Sequence, residues 1–505
     1  MKKIMLLVMT VLFVGMLAAC SDDSGNENAN PSSNNSGNTN EETNDNGEDN
    51  ATNDEKKVLK VVYKDDGPSN EVAVKYYEKL AEKLKEDKGL NVEFELVEVA
   101  QGDYAEKLTL LLNSGEIPDL IYFQGGDQQI ANQDLLVDLT PYIEESENLK
   151  DILQPHNVSR LENYPYLLWV KPLSQKTPVV RSDWFNAMDS SQALLDNPSP
   201  ENYEAFFQEL VDSGNVDYAT TVSGDISELD YIFNMAFGIN KTWLETDDGY
   251  VFSKVSDKEK DKLAYYRDLY EKGLLDPEYL TKQWDTKEDA FYNGNAGVIV
   301  GTNGKVVDFY NSRMKEVNGD EAALTVLPPA EGEYQGFGAT DVTKESRGLA
   351  ISAVSDNQDL AFQVLDYLAS PEGQMLDRLG FEGEEYNLEN GEIALTDKYY
   401  SAWYSRYWEP LEVDFGTPVS EETPMLSEPG KKSQEMVNEY FTADNSFLIP
   451  EEYVAQWDAM QNLYKEYSAD IITGKKPLDA FDDFVEEWYA AGGENLTELA
   501  NDTLK

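Results

Sequence analysis

The sequence predicts an α/β chain built on mainly parallel sheet, and three observations predict it. Strand-like apolar runs alternate with helix-spaced apolar faces from residue 58 onward. Turns rich in Gly, Pro and Asp separate those runs. The body, 58–505, is too long for one hydrophobic core and suits two or three domains.

The chain opens with Lys2 and Lys3, an apolar run over 4–17, and then Leu17-Ala18-Ala19-Cys20. That run falls short of the ~20 residues a helix needs to cross a bilayer, and it ends in small residues, so it reads as a secretion signal over 1–19. Leu-Ala-Ala-Cys resembles the bacterial lipobox, which implies cleavage before Cys20 and a diacylglycerol thioether on its sulfur. Cys20 is the only cysteine, so no disulfide can form within the chain. Residues 21–57 hold eleven Asn and ten acids, with almost no apolar side chain beyond Ala29 and Ala51. Burial cannot offset the entropy of ordering such a segment, so 20–57 reads as a lipidated, disordered tether reaching roughly 30–35 Å.

In the body, 59–63 reads as a buried strand. Val72, Tyr76, Leu80 and Leu84, closed by Gly89, predict one face of a helix, and Val92, Phe94 and Leu96 a second strand. Asp103 is placed as the N-cap of a helix carrying Leu108, Leu111 and Leu112, before a strand over 120–123. Further on come a helix over 258–272, a short helix capped by Asp285 and a strand over 296–301. Pro328-Pro329 and the Gly-rich 332–338 read as a crossover. Helices then dominate, including one with Phe481, Phe484, Val485 and Trp488 at helical spacing.

Charge and missing motifs narrow the chemistry. Of the 97 acids 10 precede residue 58, as do 4 of the 40 Lys and Arg, which leaves the body near −51. Nucleic acid and anionic lipid headgroups are poor partners for that surface. With His156 the only histidine, no multi-histidine metal site can be built, and no Gly-x-Ser-x-Gly elbow or phosphate-cradling loop is present. No cofactor is expected, and no residue is singled out as a metal ligand. A glycoside hydrolase needs two facing carboxylates, which an acid-rich chain supplies without being informative.

Several strings carry a family resemblance: KLTLLLNSGEIPDLIYF at 107–123, LLVDLTPYI at 135–143, EDAFYNGNAG at 288–297 and LDYLASPEGQ at 365–374. So do FEGEEY at 381–386, LTDKY at 395–399 and IITGKKPLDAF at 471–481. Together they resemble the family 1 extracellular solute-binding proteins, and within them the large oligosaccharide-binding lipoproteins of Gram-positive bacteria. The resemblance implies a two-lobe α/β fold of the class II periplasmic-binding-protein type, with a ligand cleft between the lobes. It implies a first lobe of 58–172 plus 333–380 and a second of 173–332 plus 381–505. It further implies a monomeric, non-enzymatic receptor on the extracellular face of the cell membrane, passing an oligosaccharide to the permease subunits of an ABC importer. The same fold could instead serve a peptide or another, cationic solute.

Candidate ligand-binding residues follow from two arguments. Ligands in open α/β sheets sit beyond the carboxyl ends of strands, which points to Asp65, Asp66, Gln124 and Asp127. Aromatic rings stack on the apolar faces of sugars, which points to Trp169, Trp243 and Trp284 and to the run 399–408. There Tyr400, Trp403, Tyr404, Tyr407 and Trp408 share a face if the run is helical; Trp403, Tyr407 and Trp408 either overhang the cleft or pack into the second lobe's core. Arg181 lies just past the expected first crossover.

Overall fold

The computed structural model describes residues 56–100, 104–401, 406–410 and 413–504. Cys20, the Asn-rich tether through residue 55, the Asp103 cap and Trp403 lie outside them, and Lys57, the last residue assigned to the tether, already belongs to the first strand. The strands run in order β1 (Lys57–Val62), β2 (Val92–Leu96), β3 (Leu120–Gln124), β4 (Lys176–Arg181), β5 (Tyr218–Thr220) and β6 (Trp243–Thr246). After them come β7 (Gly249–Phe252), β8 (Ala296–Thr302), β9 (Leu324–Val326), β10 (Arg347–Ile351), β11 (Tyr386–Glu389) and β12 (Glu392–Leu395).

Two four-stranded sheets organise the body, in the orders β10-β3-β1-β2 and β5-β8-β4-β9. In the first, β1 runs parallel to β2 and β3, and β10 closes the edge antiparallel to β3. The parallel expectation holds for that sheet's first three strands. It fails in the second, where β4 lies antiparallel to both β8 and β9 and only β5 pairs with β8 in parallel. The cause is connectivity: β4 enters straight from the first sheet rather than over a crossover helix of its own sheet.

Both faces of the first sheet are covered at its centre, which explains the unbroken apolar run of β3, while the edge strand β2 alternates apolar with acidic residues. Leu59, Val61, Leu120 and Tyr122 pack against Tyr76, Leu80 and Leu84 of the helix Glu71–Lys88. Val62, Ile121 and Phe123 point the other way, onto Leu108 and Leu112 of the helix Tyr104–Asn113. Each such side chain removed from water contributes ~1.5–3 kcal/mol. Val72 departs from the predicted face: it is exposed, and Ala73 and Tyr77 are buried instead. A strict four-residue row turns by about 40° at each step, so its first member rotates off the buried stripe.

The second sheet repeats the plan. Val180, Val298 and Val300 face the helices Pro200–Asp212, Asp257–Glu271, Glu451–Ile472 and Ala480–Trp488, while Val179 and Ile299 face the helix Lys305–Asn318. The predicted stripe of Phe481, Phe484 and Trp488 is buried there. Asp285 sits in the first turn of its helix rather than at the cap, where Gln283 and Thr286 form a reciprocal box. The stretch 328–338 is not the crossover: Ala330 and Phe337 pack into the second core, and the chain passes to the first sheet only beyond Thr340.

The aromatic run also differs from expectation. Tyr399 lies mid-way along a short helix, Asp397–Ser401, packed against the β11–β12 hairpin, whereas Tyr407 and Trp408 are non-helical and buried in the first core. Asp377 accepts their backbone N–H groups, Trp408's at 2.9 Å and Tyr407's at 3.2 Å, which takes the donors a helix would use.

Candidate functional site

A groove of about 650 Å³ opens where the carboxyl ends of β1, β3 and β8 meet the chain segments that pass between the two sheets. β1 delivers Tyr63 and the loop Lys64, Asp65 and Asp66, and β3 delivers Tyr122 and Gln124. Thr302, Asn303, Gly304 and Lys305 come from the end of β8 and the helix that follows. His156, Asn157 and Arg160 come from the helix Pro155–Arg160, Trp169 and Lys171 from the first passage, Glu345 and Arg347 from the second. Arg406 and Glu409 complete the wall.

The rings are held firmly. Tyr63 stacks on Tyr122 with centroids 4.3 Å apart and planes 20° off parallel, and its hydroxyl donates to the Arg406 carbonyl. Gln124, which lines the groove, donates to the Tyr122 hydroxyl at 3.3 Å. Burial pushes the phenols of Tyr63 and Tyr122 up, so both remain neutral hydrogen-bonding groups.

Charged groups are tied down by one another. Arg406 donates twice to Asp66, at 2.6 and 2.7 Å, and Tyr77 donates to the same carboxylate at 3.3 Å. Burial pushes Asp66 up from the ordinary carboxylate value, while Arg406 pulls it back. Lys171 pairs with Glu409, and the Lys171 carbonyl meets His156 Nε2 at 2.7 Å and accepts from Asn157 at 3.2 Å. Burial holds the His156 imidazole below its ordinary range, which keeps it neutral at pH 7. Arg160 donates to the carbonyls of Glu345 and Arg347 at 2.6 and 2.5 Å, so it braces the second passage. Lys305 donates to the Tyr399 carbonyl at 2.6 Å with its ammonium 3.5 Å from that ring, and burial lowers its pKa.

Of the residues singled out from sequence, Asp65, Asp66, Gln124 and Trp169 line this groove. The others do not. Trp243 is 1% exposed and stacks on Phe447 in the second core. Trp408 is fully buried, its indole donating to the Leu365 carbonyl at 2.9 Å, and Tyr407 is buried with its hydroxyl 2.8 Å from that of Tyr77. Asp127 is fully buried, accepting from Tyr166 at 2.9 Å and from Ser346, so it fastens β3 to the second passage. Arg181 forms a bidentate pair with Asp183 at 3.0 and 2.6 Å at the far end of β4, since Lys176 at the near end opposes Thr302. Trp284 is 41% exposed with the Lys287 ammonium 3.6 Å from its ring, near the groove end of the second sheet but outside the lining.

Sequence reasoning missed Tyr63, Tyr122, Lys305, Arg160, Arg347 and Arg406. The strand-end rule applied to the strand over 296–301 reaches Asn303 to Lys305, and Tyr63 closes the first predicted strand. Gly125 and Gly126, which follow β3, both have positive φ, and a Cβ on Gly126 would stand 2.8 Å from Thr109 Oγ1.

Comparison with known proteins agrees with this geometry. Lipoprotein LipO of Bacillus subtilis (strain 168) is 22% identical over 438 residues, 81% of this chain and 86% of the relative. Polygalacturonan/rhamnogalacturonan-binding protein YtcQ of the same organism is 21% identical over 472 residues, 87% of this chain and 89% of the relative. The crystal structure of alginate-binding protein AlgQ2 without calcium ion superposes with a TM-score of 0.65 at 14% identity, covering 89% of this chain and 98% of that one. It shares the two-lobe α/β fold. Residues 67–375 match the family described as bacterial extracellular solute-binding protein, and the chain belongs to that family.

Proposed function

We propose that this protein is the receptor of an ABC-type importer for an oligosaccharide, tethered to the outer face of the cell membrane through acylated Cys20 and acting as a monomer. The observation that carries the reading is the groove itself: Tyr63, Tyr122 and Trp169 alternate with amide, carboxylate and guanidinium groups at the strand ends. Rings for the apolar faces of sugars and polar groups for their hydroxyls are what carbohydrate recognition needs. Polysaccharide binding in the names of YtcQ and AlgQ2 supports the same class of cargo. In this reading 58–172 plus about 341–380 form one lobe and 173–340 plus 381–505 the other, the boundary moved from residue 333 because Ala330 and Phe337 pack in the second core, with 406–410 docked on the first, and cargo is bound and released unchanged.

Titrating the detergent-solubilised full chain with plant, host and microbial glycans tests this. Saturable heat with a change in Trp fluorescence, and no new reducing ends, is expected. Silence across all three glycan classes, or cleavage abolished by one Asp or Glu substitution, would overturn it. The rival reading of a cationic solute requires an acidic cleft, and the lining holds more Lys and Arg than Asp and Glu.

A further inference from the structure

We infer that the groove is built for an acidic oligosaccharide, one whose rings carry carboxylate groups; the inference rests on the carbohydrate reading above. The chain carries 97 Asp and Glu against 40 Lys and Arg, yet seven Lys and Arg line the groove against four Asp and Glu. The overall ratio is inverted at the one surface that concerns the ligand.

Three of those four carboxylates are already engaged: Asp66 with Arg406, Glu409 with Lys171, and Glu345 with Arg347 at 3.4 Å. Among the described residues no carboxylate lies within ion-pair distance of Lys64, Arg160 or Lys305. Arg160 is only 3% exposed, and its Nε and Nη1 have no hydrogen-bond partner among the described residues; Trp169 Nε1 is likewise buried without one. Burying a cation and leaving its donors open is unfavourable by itself, and an arriving anion relieves both costs. A neutral sugar relieves only the second.

The geometry also fits carboxylate in particular. The guanidinium carbons of Arg160 and Arg347 lie 5.5 and 4.9 Å from the centre of the Trp169 ring. Planar forks of this kind bind carboxylate through two parallel hydrogen bonds. A sugar ring lying near the indole would bring a carboxylate on its rim to these forks. Lys305, its charged form disfavoured by burial, is further along the same wall, flanked by Asp308, Arg378 and Glu409.

Calorimetry on the detergent-solubilised full chain separates the possibilities. The probes are short oligomers of galacturonate, glucuronate and mannuronate, the methyl esters of each, and uncharged maltooligosaccharides of equal length. At least one uronate oligomer is expected to bind at least ~10-fold more tightly than its ester, and added salt should narrow the gap. Arg347→Gln, at a side chain 41% exposed, should weaken the acid by about tenfold and leave the ester and the melting temperature unchanged. Arg313→Gln, which removes the same charge from the exposed surface, should alter neither. An ester or uncharged oligomer that binds as tightly as every acid overturns the inference and leaves the carbohydrate reading standing. Absence of binding by acids, esters and uncharged oligomers overturns both.

Discussion

Asp377 shows how one side chain couples folding to pH. It is fully buried, accepting from the Tyr76 hydroxyl at 2.7 Å and from the backbone of Tyr407 and Trp408, yet burial dominates and pushes its carboxyl up to about 6. The folded chain therefore holds a proton that the unfolded chain releases between about pH 4 and about pH 6. Stability from this group is fully present below the unfolded value and is lost as pH rises through about 6, by up to ~3 kcal/mol. Denaturant melts at a series of pH values should show that fall, and Asp377→Asn should flatten it while lowering stability at acid pH by ~1–3 kcal/mol through the lost acceptor. At this scale the sequence was only partly legible. Asp65, Asp66 and Gln124 were reachable because strand ends are marked by apolar runs. Trp243 and Trp408 were not, because an indole that fills a core and one that stacks on a ligand have the same sequence signature. Arg160 and Arg347 were invisible for another reason: their partnership joins positions brought together only by the passage between sheets.

Elements explain why the recurring strings exist. In LDYLASPEGQ the helix Gln358–Tyr367 stops, Ser370 caps the next turn by accepting from the Gly373 N–H at 3.1 Å, and Pro371 occupies the first helical position. Gly373 is required by contact: a Cβ there would lie 2.1 Å from the Tyr367 carbonyl oxygen and 2.6 Å from Leu368 Cα. Because those are backbone atoms, Gly373→Ala should cost at least ~2 kcal/mol, read as a lowered melting temperature with the groove residues unaltered. Alternation of strand and helix was legible in the first sheet, where β3 is apolar on both faces and β2 alternates apolar with acidic residues. Strand direction in the second sheet was not, since no local pattern tells a strand that its predecessor came from another sheet.

Across the whole molecule, charge is distributed in opposition: an acidic exterior surrounds a groove rich in Lys and Arg. The proposed acylation of Cys20 belongs to this scale as well, because an untethered receptor would be lost by diffusion. Replacing Cys20 with serine should move the protein from the membrane fraction to the culture medium without altering glycan affinity, which immunoblotting of fractions and calorimetry would check. The two-lobe fold was legible through the ordered strings, whereas the position of each passage between lobes was not, as 328–338 illustrates.

The closing of the first sheet by β10 has a temporal corollary. A polypeptide that emerges amino end first has β1, β2 and β3 long before residues 347–351 arrive, with the entire second sheet made in between. Until then β3 presents an open hydrogen-bonding edge, so the chain must be delivered through residue 351 of 505 before the first sheet can lock, and delivery interrupted earlier would leave that sheet adhesive.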